Sequence, residues 1–135
     1  MSPKLLRRGF AGILAGSALA LTVALAPAVQ AADFSGKRLR IVVPFNEGGG
    51  TDSLTRALQP FMEKHLPGNP KILVVNKPGA GGIVGGNYFE SNAKKDGTWV
   101  MALSTSTILN YILADPRVKF DIKGWEPIVL LPRSS

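Results

Sequence analysis

Apolar and polar positions along this chain fall into short blocks whose period changes several times. Leu39, Ile41, Val42, Val43 and Phe45 make a near-continuous apolar run over residues 39–45. Such a run suits a strand buried on both faces of a parallel sheet. After Gly48-Gly49-Gly50 the period becomes helical: Leu54, Leu58, Phe61, Met62 and Leu66 recur on one face of a helix over 52–66, with Thr51 as its N-cap. Pro60 interrupts that pattern and predicts a kink, or the first position of a second short helix. Pro67-Gly-Asn-Pro70 is a turn by composition, and residues 71–75 form a second strand. Residues 83–93 are helix-like, although Gly85 and Gly86 weaken the pattern. A turn at 95–97 leads to a third strand over 98–103. The hydroxyls of Ser104 to Thr107 then cap a third helix that runs to about Leu113 and is closed by Asp115-Pro116. Residues 127–131 read as a fourth strand.

The order is therefore β-α-β-α-β-α-β, an α/β fold built on an open, mostly parallel sheet with flanking helices. In such sheets ligands bind beyond the carboxyl ends of the strands. Three loops converge on that edge, at 46–52, 76–82 and 104–107. The fourth strand is followed at once by Pro132-Arg-Ser-Ser135 with no closing helix, so the lobe reads as incomplete.

Residues 1–31 are expected to be a leader rather than part of the fold. Lys4, Arg7 and Arg8 make a basic start, Phe10 to Ala26 carry no charge, and Val29-Gln30-Ala31 fits a small-residue cleavage site. Arg7-Arg8-Gly9-Phe10 also matches part of the twin-arginine export motif. Export to the periplasm is the expectation, with cleavage near Ala31 and a mature segment of residues 32–135.

Export changes the charge argument. The whole chain has 16 basic and 9 acidic residues. Without Lys4, Arg7 and Arg8 it has 13 against 9, a net of +4, and no dense basic stripe interleaved with aromatics. That argues against nucleic acid as a partner and suits attraction of small anions. There is no cysteine, hence neither a disulfide framework nor a thiolate metal site. His65 is the only histidine, which leaves no metal pair and makes a hydrolytic triad hard to assemble. It is expected near a helix C-terminus, where the dipole favours it. Trp99 and Trp125 are expected to pack in the core or at its edge.

The glycine loops carry the chemistry. An apolar strand running into Gly48-Gly49-Gly50 and directly into a helix presents free N–H groups and the positive end of the dipole, a combination that favours an anion. Lys71-Ile-Leu-Val-Val75 repeats the device into Asn-Lys-Pro-Gly-Ala-Gly-Gly82. Asp52 would repel an anion, so its expected role is to orient the loop and complement the dipole. Val84 and Ser53 stand where a dinucleotide fingerprint needs its third glycine, and neither loop has the Gly-Lys-Ser/Thr of a phosphate-binding P-loop. Lys77 therefore reads as solvated. No cofactor or metal is called for.

Pro44-Phe-Asn-Glu-Gly-Gly-Gly-Thr-Asp52, Val75-Asn-Lys-Pro-Gly-Ala-Gly-Gly82 and Asp96-Gly-Thr98, in that order behind a leader, resemble the Bug (TctC-like) family. Phe120-Asp121 and Trp125-Glu-Pro-Ile128 look like that family's next stretch. The resemblance implies the fold of a type II periplasmic binding protein, here one lobe with the second missing. It also implies a monomeric, non-enzymatic solute-binding protein that captures small carboxylates, such as di- and tricarboxylates, for the permease of a tripartite tricarboxylate transporter or for a sensor. By matching motifs, Phe45, Gly49, Gly50, Thr51 and Asp52 would form the first ligand loop. Ala80, Gly81 and Gly82 would form the second, and Ser104 and Thr105 would add hydroxyl or amide contacts. The alternatives are an exported α/β enzyme with a nucleotide or phosphorylated cofactor, and a truncated product without function.

Overall fold

Three parallel strands lie at the centre of the computed structural model, which describes residues 32–129. They are β1 (Arg38–Val43), β2 (Lys71–Asn76) and β3 (Trp99–Met101), in the order β2-β1-β3. Three helices connect and flank them: α1 (Gly50–His65), α2 (Ile83–Asn92) and α3 (Thr105–Ile112). Short 3-10 turns occur at Ala80–Gly82 and Ile122–Gly124. The fold is α/β with an open, wholly parallel sheet. The leader and residues 130–131 of the expected fourth strand lie outside the described residues, and residues 126–129 are not in a strand.

The apolar run of β1 occupies the middle of the sheet, with one face covered throughout and the other covered only beyond the exposed Arg38 and Arg40. Leu39 and Ile41, with Ile72 of β2, pack under Met62 and Leu66 of α1 on one face. On the other, Val42 is fully buried. Each such side chain contributes about 1.5–3 kcal/mol on leaving water.

Helix α1 meets the sheet through a different stripe from the one its hydrophobicity predicts. Asp52, Thr55, Gln59, Met62, Glu63 and Leu66 face inward, whereas Leu54, Leu58 and Phe61 are exposed. The reason lies at the sheet edge. The carboxylate of Glu63 accepts the Ile72 amide (2.8 Å) and Gln59 donates to the Ile72 carbonyl (3.0 Å). These polar groups satisfy outer-edge backbone of β2 that would otherwise invite another strand. Helix α1 also continues through Pro60 without a break. The turns on either side of the proline are both tied to the sheet, which holds the helix together despite the lost amide.

Candidate functional site

The loops that follow β1, β2 and β3 occupy one edge of the sheet, because all three strands run the same way. The first loop is organised by Asp52, which is 1% exposed. One carboxylate oxygen accepts the Gly48 amide (2.8 Å) and Arg56 Nε (2.9 Å). The other accepts Asn76 Nδ2 (2.9 Å), which also donates to the Phe45 carbonyl (3.1 Å). Arg56 closes the ring by donating to Asn76 Oδ1 (3.1 Å). The first loop is thus tied to the end of β2. Hydrogen bonds from Arg56, then from the Gly48 amide and Asn76, hold the Asp52 carboxyl down from its ordinary 3.8 to about 2. These partners face its carboxylate into the structure and tie the first loop in place.

Arg56 and Asn76 were not among the residues expected from sequence. The signals were present, in an arginine four residues after Asp52 on a helix and an asparagine closing a strand.

The folded pKa of Asp52 lies below the unfolded one, so its stabilisation is complete above pH 3.8 and is lost as pH falls through about 2. Asp52→Asn should lower the melting temperature at neutral pH. The gap between variant and parent should narrow steadily between pH 3.8 and about 2, as followed by circular dichroism. Asp115, held at about 2 by Arg117, titrates in both proteins and cancels in that difference. A gap independent of pH would show that Asp52 acts through packing alone.

The N-cap of α1 is Gly49, not Thr51, which is the second residue of the helix. Glycine has no side chain to cap with, so the first amides of α1, including those of Gly50 and Thr51, receive no side-chain cap. At α3, Ser104 is the N-cap residue, but its hydroxyl pairs with that of Ser106 (2.9 Å) instead of capping. Thr105 is exposed at the first position of α3. Phe45 is half-buried beside the first loop.

In the second loop, Gly79, Ala80, Gly81 and Gly82 all have positive φ (138°, 48°, 61° and 95°). This left-handed run turns the Ala80 and Gly81 carbonyls towards α3, where Asn110 Nδ2 donates to both (3.3 and 3.2 Å). The second and third loops are therefore linked to each other, as the first is to β2. Ala80 and Gly81 are exposed, and Gly82 is buried under Thr107. Lys77 departs from expectation: it is half-buried, with Nζ 4.6 Å from the centre of the Tyr88 ring.

No family model matches the chain. Similar proteins do exist. A "UPF0065 protein in tcbD-tcbE intergenic region" from Pseudomonas sp. (strain P51) is 30% identical over 129 residues, covering 95% of this chain and 37% of that protein. "Protein BugT" from Bordetella pertussis is 27% identical over 119 residues, covering 82% of this chain and 36% of its own. The chain is a relative of the Bug family. A "UPF0065 protein in gbd 5'region" from Cupriavidus necator is 42% identical over 84 residues, covering 62% of this chain and 25% of that protein. This Bug relative thus spans between 25% and 37% of the length of the curated proteins it matches.

Taken together, the loops can offer an anion backbone amides and hydroxyls, with Asp52 charged but paired to Arg56 behind them. Two open concavities among the described residues lie at the opposite end of the strands. No described helix is long and apolar enough to cross a membrane.

Proposed function

We propose that this chain is part of an extracytoplasmic solute-binding protein, not an enzyme, and that its three loops contribute amides to capture a small carboxylate. The observation that carries this reading is the pair of helices, α1 and α3, that start at one sheet edge without side-chain caps, flanking a left-handed glycine loop. Uncapped first-turn amides and the helix dipole both favour a carboxylate, and neither demands a particular one. Gly49, Gly50, Thr51, Ala80, Gly81, Ser104 and Thr105 would face the ligand, with Phe45 beside it. Asp52 and Gly82 would shape the loops. In this reading the leader directs export to the periplasm. The greater length of the relatives supplies a second lobe that closes over the ligand, and a membrane permease receives it.

Amide chemical shifts under titration with succinate and citrate test this directly. The amides of 49–51, 80–82 and 104–105 should move together, with a dissociation constant of about 1 mM or weaker, corresponding to about 4 kcal/mol, because only one side of the ligand is held. Thr105→Glu places a rival carboxylate at the start of α3. It should leave the fold as stable or raise it by about 0.3–1 kcal/mol while abolishing those shifts. Shifts caused by adenine nucleotides and not by carboxylates would favour an exported nucleotide-dependent enzyme.

A further inference from the structure

At the other end of the sheet, some five residues of strand from the candidate loops, lies a basic groove that the carboxylate reading does not use. Arg38 and Arg40 project from the same face of β1, since strand side chains alternate. Lys37 and Lys94 join them around Trp99 in a concavity of about 280 Å³, and a second of about 200 Å³ continues from Arg38 past Lys71 to Leu73. The Arg40 guanidinium sits 4.9 Å from the centre of the Trp99 ring, which holds its plane in place. Leu73 is 52% exposed on this face.

The charge here is only partly balanced internally. Lys71 turns to Glu63 (3.3 Å). Among the described residues, no carboxylate comes within ion-pair distance of Lys37, Arg38, Arg40 or Lys94. Asp96 lies in the groove, where the amide (3.0 Å) and hydroxyl (2.5 Å) of Thr98 keep its carboxylate ionised; it offsets part of the charge of Lys94 and leaves the groove net positive. The register also sets Arg38 directly opposite Lys71, a like-charge pair that weakens a sheet.

We propose that this groove docks an extended acidic segment of a partner polypeptide, one with carboxylates at alternate positions. The repeat is the argument. Arg38 and Arg40 stand about 6.6 Å apart along β1, which is also the spacing of alternate side chains on any extended chain laid beside it. Each guanidinium can take a carboxylate in a paired, planar contact, and Arg40 is already oriented for one by Trp99. Leu73 and the exposed part of Trp99 offer apolar contact to the intervening side chains.

The test uses the whole chain and a fluorescein-labelled peptide of alternating Glu and Ser, followed by anisotropy. Binding should appear at low salt and weaken steeply as salt is added. Arg40→Gln should weaken it by about tenfold, the equivalent of one well-placed charge-assisted contact. Arg40→Lys, which keeps the charge and loses the planar stack, should fall between. Lys119→Gln with Lys123→Gln, outside the groove, should change little. A peptide of the same charge with its glutamates at every third position should bind more weakly.

Melting curves of each variant identify any that fail to fold. For those, Lys94→Gln, at an exposed position, carries the test. Four results would overturn the proposal: no binding, equal loss on changing Lys119 and Lys123, indifference to glutamate spacing, or preference for anionic vesicles or oligothymidine over the peptide. Citrate-induced shifts in the glycine loops are read separately, so either idea can fail without the other.

Discussion

Gly82→Ala should destabilise the protein by about 3 kcal/mol. Gly82 has φ of 95°, where an L residue with a side chain costs about 1–2 kcal/mol. Its Cβ would also run into the hydroxyl of Thr107, a β-branched residue with no exposed surface and little room to turn. Overpacking of that kind adds about 1–3 kcal/mol. Urea unfolding of Gly82→Ala, Thr107→Ala and the double variant separates the two effects. The double variant should regain the packing part and keep the backbone part. If Gly82→Ala unfolds at the parent's urea midpoint, the second loop does not pack on α3 as described.

Gly85→Ala reverses the usual rule for helices. Inside a helix, alanine ordinarily stabilises by about 1 kcal/mol over glycine. Here a Cβ would lie 2.5 Å from Cβ of Pro44, 2.6 Å from its Cα and 3.0 Å from the Lys77 carbonyl oxygen. Two of these are backbone atoms and cannot swing aside, so α2 must move away from the strand ends. A net loss of about 2 kcal/mol is expected, measured by thermal or urea unfolding. Pro44 leads into the first glycine loop and Lys77 into the second, so the same shift spreads the candidate site. Carboxylate-induced amide shifts should therefore shrink in this variant even under conditions where it is fully folded. A variant more stable than the parent would mean that α2 does not approach Pro44.

Both glycines show where reading the chain in one dimension falls short. Along the sequence, Gly85 and Gly86 only weaken a helical pattern. In three dimensions Gly85 admits Pro44, and Gly86 admits the ring of Phe120, which stacks on Trp125 at 5.4 Å. The exposed stripe of α1 has a related origin. Leu54, Leu58 and Phe61 form the more hydrophobic face, yet Gln59 and Glu63 turn inward to meet the outer edge of β2. Helical periodicity records which residues share a face but carries no information about which face meets the sheet.

The three strands, the three helices and the edge where the glycine loops gather were legible in the amino-acid order. They follow from apolar runs, helical spacing and turn residues, all of which act within a few neighbours. The wholly parallel direction of the sheet follows from the same order, since each pair of strands is separated by a helix. What required the folded chain was every relation between residues far apart in sequence. Asn76 bonds to Asp52, Asn110 holds the second loop to α3, and Arg40 stacks on Trp99. Such contacts depend on strand register and helix rotation, which are set by packing the whole sheet at once.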